Sequence, residues 1–173
     1  MVAAFWPKFV ARFPSWDVLA TSSVTQIEKV LRPIGLAKQR APRLHALAKV
    51  VAERRGRFPA DRDTIESLPG VGQYTANAVL LFCHDQPQPL LDVNIARVVE
   101  RFFGERKKAD IRYDPYLQTL ATRIVQHEKG KVLNWAVLDF SALVCKARNP
   151  LCERCPLRGK CCYGTKQMAT KKL

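Results

Sequence analysis

Four cysteines near the C-terminus, Cys145, Cys152, Cys155 and Cys161, follow the pattern C-x6-C-x2-C-x5-C. Thiolates are soft ligands that select zinc or an iron–sulfur cluster. Four of them in so short a loop can hold a shape that hydrophobic burial alone could not. Spacing by itself leaves zinc and an iron–sulfur cluster nearly even, with disulfides as the remaining alternative. Lys146, Arg148, Arg154, Arg158 and Lys160 interleave with the ligands and only Glu153 opposes them. The loop would therefore present a basic edge to a polyanion, or simply a solvated one. Cys162 adjoins a ligand and reads as spare, and Cys83, on an apolar helical stretch, reads as a core residue.

A second group is Leu68-Pro69-Gly70-Val71-Gly72. Its glycines permit backbone dihedrals closed to other residues and let the main chain approach a ligand unobstructed. The turn leads into a helix N-terminus, where free N–H groups and the dipole favour an anion such as a phosphate. A plain Gly-rich connector is the alternative. Asp92 stands just before another helix, where the dipole favours a carboxylate or where it merely caps the helix. Tyr74 lies 18 positions earlier. Asn77 follows it by nearly one turn and could share its surroundings. Asn94 could hydrogen-bond Asp92. Gln39 and Arg40 lie at a loop-to-helix junction and are weaker candidates for a groove contact.

The elements that must position these residues read as helices almost throughout, with no competing strand pattern and no internal repeat. Pro7 is expected to open a helix running to Phe13, and Pro42 to sit in the first turn of another. Asp63 is expected to cap Thr64–Leu68. Further helices are expected at Tyr74–Cys83, Asn94–Phe103, Tyr116–Val125 and Val132–Val144. The end is loop-rich and finishes in a basic tail, 163–173.

Composition narrows the partner. Lys and Arg number 29 against 15 Asp and Glu, a net charge of +14, while 47% hydrophobic residues suffice for a packed core. So basic a chain suits nucleic acid or an acidic membrane surface. No secretory signal and no run of about 18 apolar residues is present, which argues against export and against a spanning helix, and favours metal ligation over disulfides.

Together, the hairpin, the segment Asp92-Val93-Asn94-Ile95-Ala96-Arg97-Val98 and the cysteine pattern resemble the helix-hairpin-helix DNA glycosylases of the endonuclease III superfamily, over about Trp16 to Cys161. The resemblance implies an all-α fold of two helical lobes with a DNA-binding cleft between them, the hairpin motif at about 64–80 and a C-terminal cluster loop. It implies a segment 1–22 joining the cluster lobe, a barrel lobe 23–103 and a cluster lobe 104–162. It settles the thiols on a [4Fe–4S] cluster held by Cys145, Cys152, Cys155 and Cys161. The implied partner is double-stranded DNA carrying a mispaired or damaged base, bound by a monomer without a membrane, in a prokaryotic cytoplasm or a eukaryotic nucleus rather than outside the cell. Leu68, Gly70, Val71, Gly72, Gln73 and Thr75 become expected DNA contacts, joined by Gln39 and Arg40. Asp92 becomes the carboxylate that stabilises positive charge on the sugar, Tyr74 a pocket residue beside it, and Asn77 and Asn94 their support.

One position sorts the chemistry. Endonuclease III has a lysine amine two residues after the second hairpin glycine, where this chain has Tyr74. A phenol cannot form a Schiff base. The resemblance therefore implies a monofunctional enzyme whose strand cleavage is weak or absent. Asp139-Phe140-Ser141-Ala142, Arg101-Phe102-Phe103-Gly104 and Val93 after Asp92 are similar to the branch acting on thymine or uracil opposite guanine. An adenine glycosylase acting on A:G and A:8-oxoguanine pairs is the alternative. The chain ends soon after the cysteines, without the C-terminal domain by which adenine glycosylases recognise 8-oxoguanine. The family's first helix, often carrying a glutamate and glutamines that meet the flipped base or its partner, falls upstream of Met1. That departure makes a non-catalytic iron–sulfur DNA-binding protein the rival of a different class.

Overall fold

A computed structural model describes residues 2–165. Met1 and residues 166–173, most of the expected basic tail, lie outside the described residues. Those described form helices, short 3-10 turns and loops, with no strand among them. The chain divides into two compact units, 1–72 and 73–173. The division falls within the hairpin, whereas the sequence reading drew its boundaries at 22 and 103.

Unit 1 contains α1 (Val2–Arg12), α2 (Trp16–Thr21), α3 (Val24–Leu31), α4 (Ala37–Glu53) and α5 (Arg62–Ser67). Its core joins Phe9, Phe13, Leu19, Ile27, Leu31, Ala41 and Ala48. Residues 2–21 thus pack on α3 and α4. The helices start where local hydrogen bonding allows. Ser15 caps α2, and Ser23 forms a reciprocal capping box with Gln26 on α3. Asp61 caps α5 through Thr64 N at 2.8 Å, so Asp63, the expected cap, lies inside the first turn instead.

Both prolines lie deeper in their helices than expected: α1 begins at Val2 and α4 at Ala37, so Pro7 and Pro42 are sixth residues rather than first-turn ones. An interior proline removes an N–H and crowds the preceding turn. Packing outweighs that cost. Phe5 and Phe9 of α1, and Phe13 just past its end, pack as tilted ring pairs at 5.5 and 5.1 Å between centroids, and Ala41, Ala48 and Val51 of α4 are fully buried.

Unit 2 contains α6 (Gln73–Cys83), α7 (Val93–Phe103), α8 (Pro115–Val125), α9 (Gly130–Leu143) and the cysteine loop. Its core gathers Leu81, Leu90, Leu91, Ile95, Ala96, Val99, Leu117 and Ala121. Cys83 is exposed at the end of α6, against the expectation of a core residue. Leu80 and Leu81 take the inward positions of that turn, leaving Cys83 on the outer face. Asp114, fully buried, caps α8 and accepts Lys107 N and Lys108 N at 2.6 Å each and Leu117 N at 2.9 Å. It thereby fixes the loop between α7 and α8.

Candidate active site and cluster loop

Asp92 is reached through a pinned segment. Two buried amides hold the chain on its way there: Asn77 donates from Nδ2 to Pro89 O at 2.7 Å, and Asn134 accepts Leu90 N at 2.8 Å while donating to Gln88 O at 3.1 Å and Gly130 O at 2.9 Å. Burying an amide is tolerable only when it is paired. Asn77 is 4% exposed, so it supports the site from beneath rather than facing a ligand. Asn134 carried no motif in the sequence and was missed.

Asp92 is the N-cap of α7. Its Oδ1 accepts Asn94 N at 2.9 Å and Ile95 N at 2.8 Å, and its Oδ2 accepts Asn94 Nδ2 at 2.8 Å. The cap reading and a carboxylate locked in one orientation are thus the same geometry. Asn94 is in turn held by Arg97, whose Nη1 donates to Asn94 Oδ1 at 3.1 Å, Nε to Cys145 O at 3.0 Å and Nη2 to Ser141 O at 2.9 Å. One face of α7 therefore links the carboxylate to the first cysteine of the loop. Arg97 and Arg101 stand four apart, one helical turn, a signal the sequence carried unread.

Tyr74, near the start of α6, is 46% exposed and so not a core aromatic. Burial of part of its ring, and then the negative charge of Asp92, raise its phenol pKa above the ordinary value. The phenol is therefore neutral near pH 7, and it senses the carboxylate expected beside it.

The hairpin turn ends unit 1. Leu68 is buried, and Val71 N closes the turn on Leu68 O at 3.1 Å. Gly70 has φ +75°, and a Cβ there would stand 2.9 Å from Arg43 Cβ, so the position requires glycine twice over. Gly72 differs. Its φ is not in the left-handed region, and a Cβ would meet nothing within 4 Å. The fold does not need glycine there. Gln73 accepts Gln118 Nε2 at 3.3 Å through its side chain, and Thr75 is exposed. Gln39 and Arg40 lie in the first turn of α4. Arg40 spends Nη1 on Ile34 O and Gly35 O at 3.0 and 3.2 Å, while Gln39 is exposed. Arg40, Arg43, Leu44 and Gly70 share an open groove in unit 1.

No disulfide joins any of the six cysteines, and Cys145, Cys152, Cys155 and Cys161 line one cavity. Burial, then the neighbouring sulfurs of Cys145, Cys155 and Cys161, push the Cys152 thiol up. Among the described residues no three metal-binding side chains are set round a single ion. The four cysteines line the cavity together, and thiolates are the soft ligands an iron–sulfur cluster takes. Donors to sulfur are in place: Gly164 N lies 3.4 Å from Cys161 Sγ, and Arg101 Nη1 lies 3.6 Å from Cys145 Sγ. Such N–H···S contacts belong with a charged thiolate site.

The comparisons with known proteins agree with this geometry. Residues 1–124 match the HhH-GPD superfamily of base excision DNA repair proteins, and residues 145–161 match the iron–sulfur binding domain of endonuclease III. A thymine/uracil-DNA glycosylase of Pyrobaculum aerophilum is 41% identical over 93% of this chain and 72% of its own length. An adenine DNA glycosylase of Mycobacterium tuberculosis is 35% identical over 90% of this chain, which spans 52% of that relative. The solved structure of a thermostable thymine-DNA glycosylase superposes with a TM-score of 0.88 at 34% identity, over 95% of this chain and 76% of the other. The chain belongs to the HhH-GPD superfamily of base excision DNA repair glycosylases, in its iron–sulfur-containing group. The four thiols carry a [4Fe–4S] cluster, and DNA is the substrate class.

Proposed function

We propose that the protein is a monofunctional DNA glycosylase that removes thymine or uracil opposite guanine, acting as a monomer on double-stranded DNA. The observation that carries the chemistry is the locked Asp92 carboxylate, whose charge reaches a neutral Tyr74. The target base must leave the stack to be reached. As the bond between C1′ and the base nitrogen breaks, its electron pair departs with the base and positive charge builds on the sugar. Asp92 stabilises that charge and accepts a proton from the water whose oxygen bonds C1′. Asn94 keeps the carboxylate oriented, and Tyr74 lines the base or sugar side. Tyr74 offers no amine, so strand cleavage does not follow.

Leu68, Gly70, Val71 and Gly72, with Gln73 and Thr75, hold a phosphate through backbone groups, and Gln39 and Arg40 add contacts along the DNA. The cluster, when bound, supplies structure to the loop. The choice of thymine or uracil rests on the similarity to thymine/uracil glycosylases and on Val93, Arg101–Gly104 and Asp139–Ala142. The adenine glycosylases at similar identity make removal of adenine the second reading.

Oligonucleotides bearing G:T, G:U and A:8-oxoguanine pairs, incubated with protein and then treated with alkali, separate these. Breaks at T and U opposite G are expected. Breaks only at A would overturn the specificity, and tight DNA binding with no base release on any substrate would overturn the enzyme reading.

A further inference from the structure

Of the five basic residues of the cysteine loop expected to face a polyanion, Lys146, Arg148, Arg154 and Lys160 are exposed, whereas Arg158 is turned partly inward. Its Nε is buried and finds no hydrogen-bond acceptor among the described residues. A guanidinium N–H left without a partner is costly, so such an atom points to an acceptor supplied from outside the polypeptide. Arg158 lines the same cavity as Cys145, Cys152, Cys155 and Cys161.

The room for this side chain is built. A Cβ on Gly164 would stand 3.2 Å from Arg158 O, 3.4 Å from Arg158 Cγ and 3.4 Å from Cys161 Cβ, although Gly164 has no left-handed φ that would itself demand glycine. The missing side chain at 164 leaves space for Arg158 to lie along the loop. The backbone at 158 is fixed as well: Arg158 N donates to Cys155 O, and Arg158 O accepts Cys161 N, each at 3.2 Å. Arg158 is thus anchored between the third and fourth cysteines.

The geometry points to Arg158 as a positioning residue for the cofactor: its Nε–H serves the sulfur atoms of the bound [4Fe–4S] cluster, and its charge offsets the negative charge of the thiolates. Hydrogen bonds to sulfur and the local net charge both set cluster potential and retention. Arg101, with Nη1 3.6 Å from Cys145 Sγ, supplies a second cationic donor at the other end of the loop. Arg158 therefore makes the cluster harder to oxidise and slower to lose, and it does so without contacting DNA.

The test uses the full-length holoprotein without DNA. Wild type, Arg158→Leu, Arg158→Lys, Gly164→Ala and Arg154→Leu are exposed to ferricyanide, the decay of the cluster's visible absorbance is followed, and midpoint potentials are measured by protein-film voltammetry. Arg158→Leu is expected to lose the cluster roughly tenfold faster and to show a more negative potential. Arg158→Lys should lie between, since it keeps charge but not the Nε–H. Gly164→Ala should be accelerated in part, and Arg154→Leu, an exposed charge of the same loop, should match wild type. Decay and potential of Arg158→Leu equal to those of Arg154→Leu would overturn the proposal. So would wild-type decay and potential in Arg158→Leu together with weaker duplex binding, measured separately on the same holoprotein by fluorescence anisotropy, the result for a phosphate contact. If Arg158→Leu accumulates poorly, iron content after identical reconstitution replaces the decay rate: content equal to wild type overturns the proposal, and reduced content supports it.

Discussion

Asp92 caps α7, and the proposed mechanism gives it a second role that one substitution can separate from the first. As an N-cap, aspartate and asparagine are nearly equivalent. As a stabiliser of positive charge on a sugar, they are not. Asp92→Asn is therefore expected to leave thermal unfolding close to wild type while base release falls by roughly 100- to 1,000-fold, read in single-turnover assays on a G:T duplex. Loss of stability with unchanged release would reduce Asp92 to a cap. Tyr74 supports a complementary gain. Placing an amine where the phenol now stands, in Tyr74→Lys, is expected to produce a borohydride-trapped covalent adduct with DNA that wild type does not form. Trapping by the wild type would instead contradict the monofunctional reading.

At the scale of elements, the hairpin and α7 carry different kinds of work. Gly70 is demanded by the fold and Gly72 is not, so their alanine variants should diverge. Gly70→Ala combines a left-handed backbone with crowding against Arg43 Cβ, and is expected to cost about 2 kcal/mol of stability by chemical denaturation. Gly72→Ala should unfold like wild type yet bind duplex DNA more weakly, measured by fluorescence anisotropy at fixed salt. Equal DNA affinity for Gly72→Ala and wild type would remove the hairpin from the interface. The role of α7 is to hold a row of groups in register: Asp92 at its cap, Asn94 in its first turn, then Arg97 and Arg101 reaching the cysteine loop.

At the scale of the whole molecule, acid stability follows from carboxylates held below their ordinary range. Burial opposes ionisation of Asp114, but backbone N–H groups of Leu117, Lys108 and Lys107 prevail and lower its pKa. The Arg112 side chain brings Asp110 down to about 2. A depressed folded-state pKa adds stability above the unfolded value, and that stability is lost as pH falls through the folded value. The protein is expected to keep its full stability down to about pH 4 and to lose it progressively below, followed by far-UV circular dichroism in acid. Asp114→Asn should flatten that fall. An unchanged acid profile in this variant would show that Asp114 is not linked to unfolding.

The residue types and spacings of this chain already contained its class: a glycine turn at 68–72, an acidic residue ahead of a helix at 92, and four thiols in a short C-terminal loop. These were legible because chemistry with strict geometric demands leaves strict local patterns. Helix existence was legible for the same reason, since an apolar period of about 3.6 residues needs only near neighbours. Tertiary structure alone decided the rest. Pro7 and Pro42 sit mid-helix because aromatic and alanine packing outweighs their local cost. Cys83 faces outward because two leucines took the inward side. The brace from Asn134 to residues 88–90, 44 to 46 positions away in sequence, and the inward turn of Arg158 beside Gly164 arise from contacts that no local pattern encodes. Burial and long-range hydrogen bonding are properties of the packed chain, so those roles became visible only once the helices were in place.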